Sequence, residues 1–213
     1  MFTLRARMAE TLSLFATRLY RAPLGGREPD VLRQDLAEAC DMLEQEDAAG
    51  RRWCRSNGYK GYTSYASLND LPTRISAFGD LKRQLDKHAA SFAQEVGFDL
   101  AGGKLKLDSL WVNVLPPGGV HTGHIHPHSV ISGTYYVTLP DGASALKLED
   151  PRLAMMMAAP TRLPEAAQDL QPFVFLTPQI GEVILWESWL RHEVVLNRAK
   201  SKRVSISFNY AWV

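Results

Sequence analysis

Histidines dominate one short stretch of this sequence. Four of the six histidines lie within residues 121–128, in the order His-Thr-Gly-His-Ile-His-Pro-His, directly after the Pro-Pro-Gly-Gly turn at 116–119. A fifth, His192, lies in a strand-like segment far downstream. Imidazole is the commonest protein ligand for first-row metals, and alternate residues of a strand point to the same side. His124 and His126 can therefore offer their rings to one ion, which predicts a metal centre.

His192 completes the predicted centre. A lone histidine in a strand is ordinarily a core or surface residue, but the pair at His124 and His126 favours a ligand role here. Three protein ligands leave coordination positions open, as catalytic metal sites require. Glu187 and Glu193 are close to His192 in sequence but are not predicted ligands, and Glu193 should point to the opposite face of its strand.

The outer histidines of the stretch are weaker ligand candidates. His121 lies where the turn has barely ended, and Pro127 interrupts regular strand pairing before His128. Two alternatives remain open for both histidines: contact with the metal ligands or with substrate, and a place at the surface. His128 is expected to face away from the ion. His88 lies beside the apolar stripe of a predicted helix and is expected to be structural or exposed.

The last strand-like segment, residues 203–209, alternates between polar and apolar side chains. One face carries Arg203, Ser205, Ser207 and Asn209, and the other carries Val204, Ile206 and Phe208. A polar face can meet water, or it can line a ligand cavity in a small barrel. An arginine fork with a nearby hydroxyl suits a carboxylate. In the second case Arg203 and Ser205 would hold a small acid near the metal.

Other polar and aromatic residues are predicted to surround this centre. Asn113 stands among apolar residues one strand earlier and is a candidate to support the ligands or to contact substrate. Tyr135 and Tyr136 are candidates as well, but they lie on opposite faces of a strand, so only one of them can face the cavity. Trp186 and Trp189 flank His192 and are expected in the core or the cavity wall.

The first half of the chain has helical spacing. Asp30 is a plausible N-cap and is followed by apolar residues at helical intervals, with Gly50 as a plausible end and a possible short resumption through Trp53. A second helix is predicted from about residue 72 to residue 96, because its apolar positions form a continuous stripe. Residues 12–20 fit a short strand or a helical turn, and the strand is preferred. The glycine- and tyrosine-rich segment 57–65 predicts an ordered loop.

After Gly102-Gly103 the period changes from helical to alternating. Strands are predicted near residues 105–115, 129–139, 146–148, 173–176, 183–186, 192–196 and 203–212. This pattern favours one domain over residues 1–213, with a mostly helical part at 1–103 and a β-sandwich or jelly-roll core at 104–213. A loop insertion at 150–171 fits a binding lid or a plain surface excursion.

Composition narrows the class of protein. The net charge of +1, with Lys and Arg spread along 213 residues, argues against nucleic-acid or membrane binding. Charged residues interrupt the apolar residues of segment 1–21, which argues against a signal peptide. Cys40 and Cys54 are interpreted as reduced, packed thiols. We therefore expect a soluble, cytoplasmic protein, and the sequence does not indicate its oligomeric state.

Taken in order along the chain, these residues resemble the Fe(II)- and 2-oxoglutarate-dependent oxygenases, in a branch with an HxHP…SGxYY…H…RxS pattern. The resemblance covers roughly residues 105–212 and rests on His124-Ile125-His126, Ser132-Gly133-Thr134-Tyr135-Tyr136, Gly181, His192 and Arg203-Val204-Ser205. It implies a mainly β fold, a double-stranded β-helix with helices packed outside. It further implies iron bound by His124, His126 and His192, and 2-oxoglutarate whose far carboxylate is bound by Arg203 and Ser205. The implied activity is that of a dioxygenase, a hydroxylase acting on an unidentified small molecule or peptide.

His126 departs from the pattern of this superfamily, whose usual middle ligand is a carboxylate. A neutral nitrogen there leaves the metal site more positive and removes a hard ligand. Two alternatives therefore remain open. One is a cupin-like three-histidine dioxygenase that works without 2-oxoglutarate and grips its substrate's carboxylate with Arg203. The other is a non-catalytic protein that binds a metal or a small acid.

Overall fold

Two antiparallel sheets packed face to face form the centre of the molecule, in a computed structural model that describes residues 9–213. The composition of segment 1–21 argues against a signal peptide, and part of this segment therefore lies outside the described residues. The strands are β1 (Leu19–Pro23), β2 (Tyr62–Thr63), β3 (Leu105–Leu115), β4 (His121–His124), β5 (Ile131–Thr138), β6 (Leu146–Glu149), β7 (Phe173–Leu176), β8 (Glu182–Glu187), β9 (His192–Val194) and β10 (Arg203–Trp212).

The larger sheet has the order β1-β8-β5-β10-β3-β2, and the smaller sheet has the order β4-β9-β6-β7. In the larger sheet β10 is central, because it pairs with β3 on one side and with β5 on the other. Every recorded strand pair is antiparallel. The expected mainly β architecture of a double-stranded β-helix is confirmed.

The helices of residues 9–213 lie on the outer side of the larger sheet, and the two longest of them pack on its central strands. These helices are α1 (Pro29–Glu46), α2 (Ala48–Ser56), α3 (Leu71–Arg74) and α4 (Ser76–Glu95). The apolar stripe of α4 is buried against the sheet, and each of its Phe and Leu side chains contributes about 1.5–3 kcal/mol on leaving water. The predicted helix 72–96 is therefore real but is interrupted at Ile75, which has an extended backbone. No helix among the described residues is long and apolar enough to cross a membrane.

Alternation along the strands divides the core into two parts. Side chains on the helix side of the larger sheet, including Val112, Tyr135, Ile206 and Phe208, pack with α1 and α4. Side chains on the other face, which we call the cavity side, meet the inner face of the smaller sheet. A Cβ at Gly133 would overlap the side chains of Leu185 and Phe208, so this position in the centre of the sheet requires glycine.

Three further segments illustrate where the structure differs from the sequence prediction. The first strand begins only at Leu19, and residues 12–18 are irregular and exposed. The first helix breaks at Asp47, whose carboxylate accepts a hydrogen bond from the Gly50 N–H at 2.9 Å and so starts α2. The short strand β4 is missing from the predicted strands, although His124 and His126 were expected to share one, because it has only four residues and an irregular register.

The insertion connects β6 to β7, which pair with each other as an antiparallel hairpin. It contains two short 3₁₀ turns, Leu153–Met155 and Gln168–Leu170. The Asp150 N–H donates to the Pro172 carbonyl oxygen at 2.9 Å, so the two ends of the insertion meet. The insertion is therefore an enlarged hairpin loop.

Candidate metal centre

Two of the predicted ligands lie on neighbouring strands of the smaller sheet. His124 is the last residue of β4, and its register partner is His192, the first residue of β9. His126 lies beyond β4 in a turn rather than on a strand. Its backbone N–H donates to the Ser188 carbonyl oxygen at 3.0 Å, which holds the turn against the segment before β9. The three rings therefore converge from one strand end, one turn and one neighbouring strand.

The distances between the three imidazoles suit a single ion. One ligand nitrogen from each ring lies within 4.8 Å of the other two. The Nε2 atoms of His126 and His192 are 3.3 Å apart. Two nitrogens bound to one ion at about 2.1 Å lie about 3.0 Å apart at a right angle and about 3.4 Å apart at a tetrahedral angle. The observed separation thus needs little adjustment to accept a metal.

Backbone carbonyls fix the orientation of two of these rings. The Nδ1–H of His124 donates to the Thr122 carbonyl oxygen at 2.7 Å, and the Nδ1–H of His192 donates to the Leu190 carbonyl oxygen at 2.8 Å. A carbonyl oxygen only accepts, so in the neutral ring each Nε2 keeps its lone pair. Hydrogen bonds of this kind are the usual support of metal-bound histidines.

The imidazoles are kept neutral by their surroundings. Burial, reinforced by the neighbouring His124 ring, lowers the pKa of His126 to about 4. Burial also lowers the pKa of His124 and brings that of His192 well below its usual value. At neutral pH all three rings therefore present lone pairs without first losing a proton, which is the form that binds a metal.

Arg203 is buried in the same cavity without an acidic partner. Arg203 is only 1 % exposed, and its NH1 group donates to the Ser205 hydroxyl oxygen at 3.2 Å. Its guanidinium lies 5.1 Å from the ring centre of Tyr136, and its Nε–H has no hydrogen-bond partner. Among residues 9–213 no carboxylate pairs with it. Burial lowers the pKa of Arg203, but a guanidinium stays charged in proteins.

An unpaired buried charge is costly, about 3–5 kcal/mol when its partner is missing. The same cavity contains further buried polar atoms without a partner, namely Asn113 Oδ1, Tyr136 OH and Trp186 Nε1. The unfilled volume of this cavity is small, about 30 Å³. The cavity is therefore built for a polar, anionic ligand beside a metal, and the residues present fit both groups.

Comparison with known families agrees with this geometry. Residues 109–209 match the model of a family described as "Putative 2OG-Fe(II) oxygenase", where 2OG is 2-oxoglutarate. Over this part, just under half of its length, the chain is similar to the 2-oxoglutarate- and Fe(II)-dependent oxygenases. No curated protein sequence matches it.

Several solved structures share the fold. AviO1 from Streptomyces viridochromogenes Tue57 superimposes with a TM-score of 0.60 at 15% identity, over 92% of this chain and 90% of AviO1. HygX from Streptomyces hygroscopicus, with nickel and 2-oxoglutarate bound, gives 0.59 at 12% identity over 92% and 82%. A prolyl-4-hydroxylase from Pseudomonas putida gives 0.52 at 15% identity over 92% and 88%. At these identities the similarity establishes the fold.

The structure assigns the two adjacent tyrosines to opposite sides of the larger sheet. Tyr136 lines the metal cavity. Tyr135 does not, because alternation along β5 turns it to the helix side, where it is fully buried in the core beneath α1 and α4. Tyr135 is therefore corrected from a candidate site residue to a core residue. Asn113 does face the cavity, and its Nδ2 donates to the Ser207 hydroxyl oxygen at 3.1 Å.

The outer histidines separate as well. The ring of His121 stacks on that of His124 with centroids 4.6 Å apart, so His121 lies inside the cavity rather than at the surface. His128 is exposed and has a left-handed backbone, φ 70°, directly after Pro127. Glu193 faces away from the centre, as expected, and pairs with Lys147 at 2.9 Å.

Sequence reasoning missed the contact of Tyr59 with His121, a residue of the metal cavity. Its ring lies edge-on to His121 at 5.7 Å, and its buried hydroxyl has no hydrogen-bond partner. Burial raises the pKa of Tyr59, while the nearby Arg203 charge works in the opposite direction. The available signal was the glycine- and tyrosine-rich composition of residues 57–65. This composition indicates an ordered loop but does not show what the loop contacts.

Proposed function

We propose that this protein is a dioxygenase that uses Fe(II) and 2-oxoglutarate to hydroxylate a small molecule or a peptide. The observation that supports this most strongly is the shared cavity, in which an unpaired buried Arg203 lies with three convergent imidazoles. An arginine fork beside a hydroxyl suits the far carboxylate of a dicarboxylic 2-oxo acid. A metal bound in the same cavity suits the 2-oxo acid end of that molecule.

Each residue has a role in this proposal. His124, His126 and His192 would hold the iron, and Arg203 with Ser205 would orient the co-substrate. When bound, iron and 2-oxoglutarate supply the chemistry: oxidative decarboxylation of the acid with dioxygen gives succinate, carbon dioxide and an oxidant for a C–H bond. The residues of the chain hold the ion, fix the acid and exclude water. The ring of Trp186, 4.6 Å from that of His192, closes one wall of the cavity.

The substrate class stays broad in this proposal. One similar structure is a prolyl-4-hydroxylase and another, HygX, contains nickel and 2-oxoglutarate, so hydroxylation of a peptide or of a small metabolite is supported by analogy of fold. We further propose an intracellular protein that binds neither nucleic acid nor membrane. The net charge of +1 and two buried, unpaired cysteines support that location.

A spectroscopic titration tests the co-substrate. Purified protein is loaded with Fe(II) without oxygen and titrated with 2-oxoglutarate, and a visible charge-transfer band that saturates at one equivalent is expected. 2-Oxobutyrate, which keeps the 2-oxo acid end but lacks the far carboxylate, serves as the matched control and should bind far more weakly. If no band forms and 2-oxoglutarate does not raise the thermal stability, the co-substrate assignment is wrong.

A second candidate is a three-histidine dioxygenase that binds its substrate directly. It is favoured by His126, because three neutral ligands differ from the superfamily's usual set that contains a carboxylate. In that case Arg203 would grip a carboxylate of the substrate itself. Oxygen uptake with succinate formation supports the first function, and oxygen uptake without succinate supports the second.

A further inference from the structure

The indole N–H of Trp186 is a buried donor that no protein atom uses. Trp186 lies on β8 and is 1 % exposed, and its ring is edge-on to that of His192 with centroids 4.6 Å apart. It lines the metal cavity, and its Nε1 has no hydrogen-bond partner in the part of the chain that the structure describes. An indole N–H can only donate, and a buried one normally has an acceptor. This donor is therefore available to a ligand in the cavity.

Packing alone does not require an indole at this position. Trp186 belongs to an apolar cluster that includes Ile184, Leu146 and Leu190. A phenylalanine ring would pack with such side chains without burying an N–H group. The nitrogen, rather than the ring, is thus the part of Trp186 that packing leaves unexplained.

The pairing of the strands shows at which end of the cavity Trp186 lies. Trp186 pairs with Ser132 of β5, and Ser132 pairs with Asn209 of β10. Asn209 is six residues beyond Arg203 on β10, which is about 20 Å along an extended strand. Because the ring of Trp186 also contacts that of His192, Trp186 lies at the histidine end of the cavity and Arg203 lies at the other end.

A dicarboxylic 2-oxo acid carries acceptors at both of its ends. Arg203, with the Tyr136 ring 5.1 Å from its guanidinium, suits the far carboxylate. At the histidine end the acid presents the carboxylate next to its 2-oxo group, whose two oxygens have several lone pairs. Among residues 9–213, the unpartnered buried donor at that end is Trp186 Nε1. Asn113 Oδ1 also lacks a partner in the cavity wall, but a carbonyl oxygen only accepts.

We propose that the Trp186 Nε1–H donates to the carboxylate next to the 2-oxo group, so that Trp186 and Arg203 hold the acid from opposite ends. This inference rests on the proposed use of 2-oxoglutarate. The two donors recognise different features of the acid, because Arg203 binds the far carboxylate and Trp186 binds the 2-oxo acid end. A ligand without the far carboxylate therefore loses the contact with Arg203 and keeps the contact with Trp186.

Trp186→Phe keeps an aromatic ring in the cavity wall and removes the N–H. Calorimetric titration of the Fe(II)-loaded full chain without oxygen should show 2-oxoglutarate binding this variant about tenfold more weakly or worse, since the lost hydrogen bond is to a charged group. 2-Oxobutyrate should lose the same factor, because it keeps the 2-oxo acid end. Trp189→Phe is the matched control and should bind both acids like the wild type, because Trp189 is 45 % exposed and does not line the cavity.

A second measurement uses the wild-type chain. Isotope labelling of the indole nitrogens gives one nuclear magnetic resonance signal per tryptophan N–H, and Zn(II) in place of iron keeps the protein diamagnetic. Trp111 and Trp186 are the buried indoles, at 4 % and 1 % exposed, and Trp111→Phe identifies the signal of the first. We expect the Trp186 N–H proton to shift downfield when 2-oxoglutarate is added, and to do the same with 2-oxobutyrate.

Three results would overturn the proposal while leaving 2-oxoglutarate as the co-substrate. One is unchanged affinity for the acid in a Trp186→Phe variant that retains iron. Another is weaker binding of 2-oxoglutarate but not of 2-oxobutyrate, because the contact would then be to the far carboxylate. The third is an unshifted Trp186 signal in wild type saturated with 2-oxoglutarate, and this signal decides if Trp186→Phe does not retain iron. A wild-type chain that does not bind 2-oxoglutarate at all would instead refute the proposed function, and this inference with it.

Discussion

Both faces of the larger sheet are largely buried, but their polar side chains differ in hydrogen bonding. On the helix side, the Tyr210 hydroxyl donates to Asp86 Oδ1 at 2.8 Å, and the Tyr62 hydroxyl donates to Asp47 Oδ2 at 2.9 Å. On the cavity side, the Tyr136 hydroxyl and the Arg203 Nε–H have no partner. These helix-side hydroxyls thus have protein partners, whereas the cavity-side groups are left for a ligand to bind.

The helix side has one exception. The buried Tyr135 hydroxyl also lacks a partner, although it lies in the apolar core beneath α1 and α4. An isolated unpaired hydroxyl of this kind costs about 1–3 kcal/mol and identifies no ligand. What distinguishes the cavity side is a cluster of unpaired groups that includes a full charge and that faces three metal-binding nitrogens. Clustering, rather than a single unsatisfied atom, is therefore the useful indicator of a binding site.

The largest effect is expected for the metal ligands on the cavity side. His192→Ala removes one of three convergent nitrogens. We expect the affinity for iron to fall about 100-fold or more, because the loss of groups that only support metal ligands already costs up to about 100-fold. Iron content after dialysis against a weak chelator measures the effect. His128→Ala is the matched control, because His128 is exposed outside the cavity. Equal iron retention in the two variants would contradict the assignment of His192.

Arg203→Met should separate binding from stability. Removing one partner of a buried charge pair costs about 2–5 kcal/mol, so the affinity for 2-oxoglutarate should fall roughly thirtyfold or more. In the absence of ligand the variant should be more stable than the wild type, since a well-packed apolar residue replaces an unpaired buried charge. Thermal unfolding with and without 2-oxoglutarate measures both effects. Arg198→Met is the control on the exposed surface and should change neither quantity.

Much of the fold could be predicted from the sequence, because alternation is a local signal. The strand β10 and its polar face were visible in residues 203–209, and β3 and β5 were visible for the same reason. The strand β4 was hidden by its length and its irregular register. The break at Asp47 was also unexpected, because the cap depends on how its side chain turns back onto the Gly50 N–H.

The site was only partly predictable. The spacing of His124 and His126 predicted two ligands on one strand, but His126 reaches the centre from a turn that is held by Ser188. Alternation showed that Tyr135 and Tyr136 face opposite sides, yet only the position of the helices decides which one faces the cavity. Tyr59 could not be assigned, because its contact with His121 joins distant parts of the chain.

One substitution made on each face sharpens the comparison directly. Tyr210→Phe removes a hydroxyl that donates to Asp86, so the free energy of unfolding should fall by about 1–2 kcal/mol. Tyr136→Phe removes a hydroxyl without a protein partner, so stability should be unchanged or slightly higher. The affinity for 2-oxoglutarate should fall several-fold in Tyr136→Phe alone. Urea unfolding and ligand titration of both variants measure the contrast, and a loss of stability in Tyr136→Phe would contradict it.

The smallest effect concerns the acid sensitivity of the helix side. Burial alone would raise the pKa of Asp47, but hydrogen bonds from the Gly50 N–H and the hydroxyls of Ser67 and Tyr62 outweigh it and lower the pKa. A carboxylate with a lowered pKa in the folded state adds stability above its unfolded pKa of about 3.9, and this stability is lost as the pH falls through the folded value.

Asp47→Asn should therefore lower the free energy of unfolding by about 1 kcal/mol at neutral pH, a typical value for a weakened helix cap. The difference from the wild type should shrink as the pH is lowered from about 4, because the wild-type carboxylate then becomes protonated as well. Urea unfolding at a series of pH values measures it. Asp99→Asn is a suitable control, since that carboxylate accepts only one exposed local hydrogen bond, from the Ala101 N–H. A difference that stayed constant down to acidic pH would show that the charge of Asp47 contributes nothing and that shape alone makes the cap.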